Sequence, residues 1–251
     1  MRFRALVELG GPLFLALAAL PAAAGPPQSW TARYPLPADG EVAVSNVQGS
    51  IEVEGWDRAE VEVTVVKTAG EEGSPDDAVI SVERNARALR LRTLYLQGAD
   101  APVQVDYHLR VPRQARLAGL RTVNGDVVVR NVEGDLEAHT LNGDIVASGG
   151  AGSVVAQGVN GDVRVSLRAL PPPDGRLQLE TINGDVDLEL PENAGADLEL
   201  STVAGRIEGL PYFPAAATDG AVRARLGRGG LTVRLRTIRG DIRIAAPEQM
   251  L

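Results

Sequence analysis

The 251-residue chain contains no cysteine, a single lysine (Lys67), two histidines and only 4% aromatic residues. Without cysteine the protein forms no disulfide, has no thiol nucleophile and offers no site for lipoprotein attachment. His108 and His139 have no partners at metal-ligand spacing, and the chain has no Gly-x-Ser-x-Gly nucleophile elbow. We therefore predict that the protein is not an enzyme and uses no cofactor.

One short motif occurs six times in the second half of the chain. It consists of an aliphatic residue, a variable residue that is asparagine in four copies, glycine and, in five copies, aspartate. The first three glycines are 18 residues apart. A fixed period of this kind indicates a stacked repeat architecture. The six glycines are Gly125, Gly143, Gly161, Gly184, Gly205 and Gly240.

The residues around each glycine alternate with a period of two, which predicts strands and not helices. With glycine as position zero, positions −2, +2 and +4 are apolar, as in Leu141, Ile145 and Ala147. We predict that these three positions face the core. The aspartate at +1, the residue at +3 and a recurrent threonine at −3 are predicted to face outward. Asn-Gly is expected to supply positive φ for a tight bend, with the aspartate accepting local backbone N–H groups.

A weaker half-repeat lies midway between copies, as at Gly134, so each unit is predicted to hold two strands. The step of 23 residues from Gly161 to Gly184 is explained by an insertion at residues 171–175. The interval from Gly205 to Gly240 is close to two units. It also carries a Pro-flanked loop with Tyr212 and Phe213, which is either a contact patch or a lid over an edge.

These patterns predict an all-β protein: a β-solenoid or β-roll of stacked units of ~18 residues with an irregular N-terminal β cap. Residues 38–115 could instead form a separate small sandwich. The predicted divisions are a signal peptide at residues 1–24, a Pro-rich lead-in at 25–37, the β cap at 38–115, the repeat solenoid at 116–246 and a tail at 247–251.

The first 24 residues have the pattern of a signal peptide, with two arginines, a short apolar run and three alanines before Gly25. An uncleaved membrane anchor is the alternative. No later segment has the length and hydropathy of a membrane span. The net charge is −8, and an acidic chain is poorly suited to nucleic acid, because phosphate contacts need a basic face. We predict a periplasmic, outer-surface or secreted protein whose partner is an envelope protein or a glycan.

Several motifs resemble the bacterial “putative adhesin” β-strand-repeat family over residues 38–246. They are the run Tyr107-x-Leu109-x-Val111-Pro112, the Asn-Gly-Asp turns, and the opening Asn46-Val-x-Gly49-Ser50-Ile51 with Gly55-Trp56-Asp57. The resemblance implies an exported, all-β, solenoid-like domain of the cell envelope and implies no activity. An adhesin-like scaffold or binding surface is therefore the leading functional hypothesis. The copy at Gly205 departs from the pattern, with Arg206 in the aspartate position.

The aspartates are predicted to form a column, because equivalent residues of stacked strands are ~4.8 Å apart. Like charges at that spacing repel unless they are solvated, capped by N–H groups or bridged by a cation. Calcium prefers such oxygen ligands, so a calcium-stabilised β-roll remains an alternative. The calcium-binding nonapeptide pattern, however, is not present. The column consists of Asp126, Asp144, Asp162 and Asp185.

Two further motifs could carry function. Arg239-Gly240-Asp241 spells the tripeptide recognised by integrins, but it falls in register with the repeat, which favours a structural role. Some β-helical proteins cleave polysaccharides with clustered acids, so a glycan-active enzyme is a second alternative. The acids that could approach one another are Asp126, Asp135, Glu137 and Asp144.

Overall fold

The computed structural model describes residues 27–70, 73–96, 103–192, 194–209 and 220–245. Within these ranges twenty strands and one 3-10 turn, Pro75–Asp77, make up the regular structure, and the all-β prediction is confirmed. The predicted signal peptide, the tail and the Tyr212/Phe213 loop lie outside the described residues.

In chain order the strands are β1 (Gln28–Pro35), β2 (Glu41–Ser45), β3 (Ile51–Trp56), β4 (Glu60–Ala69), β5 (Ala78–Arg84), β6 (Ala88–Tyr95), β7 (Val103–Pro112), β8 (Arg116–Asn124), β9 (Val127–Arg130), β10 (Leu136–Asn142), β11 (Ile145–Gly150), β12 (Val154–Gln157), β13 (Val163–Leu167), β14 (Leu177–Glu180), β15 (Val186–Glu189), β16 (Ala196–Ser201), β17 (Ile207–Gly209), β18 (Ala221–Leu226), β19 (Leu231–Arg236) and β20 (Ile242–Ala245).

The strands form two ten-stranded sheets in which parallel pairs predominate. Sheet A has the order β1-β4-β7-β3-β9-β11-β13-β15-β20-β17. Sheet B has the order β18-β16-β19-β14-β12-β10-β8-β2-β6-β5. Each sheet B strand in the parallel region is followed along the chain by a sheet A strand. We call each such pair a rung, and the turn that joins its two strands the first corner.

Eight rungs stack in the described part of the chain. In spatial order they are β6–β7, β2–β3, β8–β9, β10–β11, β12–β13, β14–β15, β19–β20 and β16–β17. The 18-residue period is visible in the pairing of Ile145 with Val127. The insertion at residues 171–175 accounts for the longer step between the paired residues Val163 and Val186.

The spatial order departs from the chain order at both ends of the stack. The rung β2–β3 lies inside β6–β7, and β19–β20 lies between β14–β15 and β16–β17. The interval of about two repeat lengths between Gly205 and Gly240 therefore does not correspond to two consecutive rungs. After β17 the chain forms β18, antiparallel to β16, and then returns to fill the place between β14 and β16.

The interior between the sheets is aliphatic. Positions +2 and +4 point into it as predicted; Ile145 and Val127, for example, are fully buried. Tyr107 is the largest fully buried side chain. Its hydroxyl lies 2.8 Å from the Thr93 hydroxyl, which donates to Asn46, and burial raises the pKa of Tyr107 to about 12. Within the described residues every buried side-chain nitrogen and oxygen has a hydrogen-bond partner.

Antiparallel strands flank the parallel stack. Beyond β7 lie β4 and β1, beyond β6 lies β5, and beyond β16 lies β18. Both sheets continue across residue 115, and the division between cap and solenoid stays a prediction. Among the residues described, no helix has the length and apolar character of a membrane span.

Candidate functional site

The aspartates at position +1 form a hydrogen-bonded column along the first corner. The Oδ1 atom of each accepts the backbone N–H of the equivalent residue one rung further on. Asp126 accepts from Asp144, and Asp144 accepts from Asp162, at 2.8 and 2.9 Å. In the same way Asp162 accepts from Asp185, and Asp185 accepts from Asp241, at 2.8 Å each. The carboxylates are thus capped between rungs and not within one turn.

Arginines face the second carboxylate oxygen over part of the column. Arg164 contacts Asp162 and, at 3.1 Å, Asp144. Arg243 lies 2.8 Å from Oδ2 of Asp185 and 3.3 Å from that of Asp241. Both arginines come from position +3, where the sequence alternates Arg164, Asp187 and Arg243 across neighbouring rungs. This alternation was a sequence signal for the pairing, because cross-strand neighbours on one face interact.

The copy of the motif at Gly205, which has Arg206 in place of aspartate, lies at the end of the column. Its rung is the last in sheet A, so an aspartate there would have no further N–H to accept. Arg206 occupies the position instead and donates its backbone N–H to Asp241 Oδ1 at 2.8 Å. That N–H, together with the Arg206 side chain 3.2 Å from Oδ2, holds the pKa of Asp241 below its ordinary value.

The glycines of the first corner are required by a close approach between rungs. A Cβ on Gly143, whose φ is +144°, would stand 2.2 Å from the carbonyl oxygen of Gly125. At the turn that leads from one rung to the next, a Cβ on Gly134 would stand 2.2 Å from the Ala115 carbonyl oxygen. The other predicted turn glycines, Gly161, Gly184, Gly205 and Gly240, would each meet the carbonyl of the neighbouring rung at 1.8–2.1 Å, and Gly125 would do so at 2.2 Å.

The asparagines have a different role from the one predicted. None of the repeat asparagines has positive φ; within the described residues Asn131 is the only non-glycine that does. Their side-chain amides form a second ladder instead, with Asn142 donating to Asn124 and Asn160 to Asn142, at 2.7 Å each. Asn183 donates to Asn160 at 2.8 Å, and Arg239 takes the last position with a contact to Asn183 at 3.3 Å.

The threonines at −3 point inward, which corrects the prediction that they face outward. Thr140 is 4% exposed, on the same face of β10 as Leu136 and Ala138. Its hydroxyl donates to the Gly125 carbonyl oxygen at 2.9 Å. The glycine that allows close stacking turns its carbonyl toward the interior, where a hydroxyl is needed to satisfy it. Four more threonines make the same bond: Thr122, Thr181, Thr202 and Thr237.

The aliphatic residues at −2 point outward, which corrects a second prediction. Leu141, Ile182 and Val203 are 43%, 40% and 69% exposed. Seven residues in consecutive rungs make up this column, which we call the apolar ridge: Val47, Val123, Leu141, Val159, Ile182, Ile238 and Val203. At ~4.8 Å per rung the ridge is about 29 Å long. Sequence reasoning missed it because alternation was assumed to continue through the corner.

Of the four acids suggested for catalysis, Asp126 and Asp144 are neighbours in the column, but Asp135 and Glu137 do not join them. Asp135 precedes β10 and Asp144 follows it, so the seven-residue strand separates them by about 20 Å. Glu137 lies on the outer face of β10, where His139 at 3.0 Å and Arg121 hold the pKa of this glutamate below its ordinary value. In the described ranges no three His, Asp or Glu side chains are arranged to hold a metal ion. The calcium alternative for the aspartate column stays a prediction.

The Arg239-Gly240-Asp241 tripeptide is part of the ladders already described. Gly240 donates its N–H to Ala204 at 3.0 Å, and both carboxylate oxygens of Asp241 contact Arg206. His108, the other histidine, lies on the outer face of β7, 3.4 Å from Glu52.

Two parallel-rich sheets, stacked rungs and glycine corners define a class of all-β repeat proteins. The chain belongs to the Toastrack DUF4097 family, whose model matches residues 35–245. This agrees with the resemblance inferred from the turn motifs. No curated protein sequence matches the chain significantly.

The chain is similar in fold to a solved structure from Clostridium sporogenes described as a “putative cell adhesion protein”. The TM-score is 0.56 at 11% identity, over 88% of this chain and 100% of that one. A “putative adhesin” of Bacteroides fragilis gives 0.42 at 12% identity, over 86% and 97% of the two chains. A “putative lipid binding protein” of Parabacteroides distasonis gives 0.32 at 13%, over 88% and 97%. Only the first of these three is similar enough to inform the fold.

Proposed function

We propose that the protein is an exported, non-enzymatic binding scaffold of the cell envelope, built as a short β-solenoid of ~18-residue coils. The apolar ridge carries this proposal. Large contiguous apolar patches on monomeric soluble proteins commonly mark interaction sites, and a continuous column of aliphatic side chains is a candidate for one. The fold shared with the Clostridium protein supports an adhesive role.

The proposed partner of the ridge is an extended segment of another envelope protein. A ridge of about 29 Å matches the length of roughly nine residues of extended chain. The ridge side chains are aliphatic, which suits contact with apolar side chains better than contact with sugar hydroxyls. The asparagine ladder beside the ridge offers amide groups to the backbone of such a segment.

The ridge is held rigidly, which favours its use as a contact surface. The Leu141 carbonyl accepts the Asn160 N–H and the Ile182 carbonyl accepts the Arg239 N–H, at 2.9 and 2.8 Å. Leu141 and Ile182 therefore belong to the hydrogen-bonded corner. Binding to a preorganised surface avoids the entropy cost of ordering it.

The binding proposal is tested by ridge variants with a matched control. Immobilised wild-type protein is presented with detergent-solubilised envelope proteins of the source bacterium, and retained proteins are cross-linked and identified. Ile182→Ser and Leu141→Ser should each lower retention of the same protein at least tenfold. Val79→Ser, at a site 41% exposed on β5 and off the ridge, should leave it unchanged. Equal losses of retention in all three variants would contradict the proposal that the ridge is the binding surface.

A parallel assay separates binding from catalysis. The protein is incubated with cell-wall and extracellular polysaccharides, and both retention and release of reducing ends are measured. We expect no release. Release of cleavage products would contradict the non-enzymatic proposal, and retention without release would move the partner from protein to glycan.

Export is tested with the full chain. Expression in a bacterial host followed by fractionation should place the protein outside the cytoplasm, with Gly25 as its first residue by mass spectrometry. A cytoplasmic protein that retains residues 1–24 would contradict export.

A further inference from the structure

We propose that the outer face of sheet B holds an oxyanion-binding site centred on Ser45, which takes a phosphate or sulfate group. The site is a depression of about 260 Å³. It lies on the outer face of sheet B, where Ser45 and Arg121 stand two residues before the ridge residues Val47 and Val123. The argument rests on the lining residues Ser45, Ser81, Arg92, Gly119 and Arg121. Two carboxylates, Glu41 and Glu83, also line the depression, and both lie beside Arg90, which offsets their charge.

Strand register places a small hydroxyl residue between two arginines. Ser45 on β2 pairs with Arg92 on β6 and with Arg121 on β8. At ~4.8 Å per strand the two arginine backbones are about 9.6 Å apart. A tetrahedral oxyanion fits that interval, with the Arg92 guanidinium on one side, the Ser45 hydroxyl beside it and the Arg121 guanidinium over Gly119. Arginine is well suited to this role, because its N–H fork matches the oxygen geometry.

A bulge in β8 shapes the floor of the depression. The β2–β8 register shifts between Val42 and Val44, and the additional residue on β8 is Gly119 with φ +127°. A Cβ at Gly119 would stand 3.1 Å from Nη1 of Arg121. The absence of a side chain there lets the Arg121 guanidinium lie across the floor. A bulge often re-aims a side chain in this way.

The charge balance leaves Arg92 available to a ligand. Arg90 pairs with Glu41 at 2.9 Å, and Arg121 pairs with Glu137 at 2.5 Å. The cross-strand neighbours of Arg92 are Ser45 and Ser81, both uncharged. Across the described ranges Arg92 forms no ion pair. Most of the other described arginines do form ion pairs.

Arg236 provides a matched control on the same face. It is also exposed and forms no ion pair with any described residue, but its cross-strand neighbours are Glu180 and Ser201. A carboxylate beside it disfavours an incoming anion. The two arginines therefore differ in neighbours and not in residue type.

Calorimetric titration of the full protein with sodium phosphate and with sodium sulfate at low ionic strength tests the site. We expect saturable binding that Arg92→Gln weakens at least tenfold and Arg236→Gln changes less than twofold. Ser45→Leu, which fills the depression without altering charge, should also weaken binding at least tenfold. Absence of binding, or equal losses in both arginine variants, would overturn the proposal.

A second arm distinguishes a free oxyanion from a lipid headgroup. Co-sedimentation with phosphatidylglycerol vesicles is compared with phosphatidylcholine vesicles, for the wild type and both arginine variants. Sedimentation with phosphatidylglycerol that Arg92→Gln abolishes supports the site and identifies a headgroup as its ligand. Phosphate binding without sedimentation supports the site for a small oxyanion. Sedimentation that Arg236→Gln reduces as much as Arg92→Gln would overturn it.

Discussion

Asp241 accepts two hydrogen bonds from Arg206, one from the backbone N–H at 2.8 Å and one from the guanidinium at 3.2 Å. The contact joins the two rungs at one end of sheet A. Because Arg206 lowers the pKa of Asp241, the carboxylate contributes stability above its unfolded-state pKa of about 3.9. That contribution is lost as the pH falls through the lower folded-state value.

The first prediction concerns Asp241→Asn, which keeps an acceptor oxygen and cannot ionise. We expect the variant to be less stable than the wild type at pH 7, by about 1 kcal/mol, and the difference to shrink at pH 3. Urea unfolding at the two pH values measures this. Asp174→Asn, at an exposed loop position, is the control. A difference that stays constant with pH would show that ionisation of Asp241 does not stabilise the fold.

The second prediction concerns the close approach at the first corner. Gly143→Val should destabilise the protein by at least about 4 kcal/mol, because its Cβ would collide with the Gly125 carbonyl. Gly220→Val is the matched control, since a Cβ at Gly220 meets nothing within 4 Å. Thermal melting followed by far-UV circular dichroism compares them. A cooperative melt at the wild-type temperature for Gly143→Val would contradict the stacking geometry.

The third prediction concerns the buried threonines at position −3. Thr140→Val keeps the shape of the side chain and leaves the Gly125 carbonyl without its donor, at a cost of about 1–3 kcal/mol. Thr140→Ser retains the hydroxyl and should cost less. Chemical unfolding of the two variants ranks them, and the reverse ranking would mean that the methyl group matters more than the hydrogen bond.

The fourth prediction concerns calcium. Each carboxylate from Asp126 to Asp185 already accepts a backbone N–H, and Arg164 and Arg243 neutralise part of the column. We therefore expect the same melting temperature in millimolar calcium and in EDTA. A calcium-dependent rise that Asp144→Asn removes would instead establish a metal ladder.

Local sequence was sufficient to predict the strands and the turns. The positions of Ile145 and Ala147 follow from alternation within one strand, and the glycine corners follow from the period. Leu141 and Thr140 were placed on the wrong faces because the inward set of β10 ends at Thr140, and the corner then begins. No short-range pattern reports where alternation stops.

The pairing order was beyond the reach of the sequence pattern for a different reason. Val186 pairs with Ile242, 56 residues away, although the repeat predicts the next copy as its neighbour. All copies present similar inward residues, so several stacking orders satisfy the same alternation. The antiparallel return through β18 distinguishes them, and it depends on contacts far apart along the chain.

The interior position of β19–β20 has a consequence for how the protein comes to be folded. A chain that added each rung to the one before it could consolidate gradually from its N-terminal end. Here the place between β14 and β16 stays open until almost the last strand has been synthesised. Such non-local closure slows folding and exposes unpaired strand edges in the meantime. A chain that lacks residues 231–245 would leave those edges of β14 and β16 unpaired.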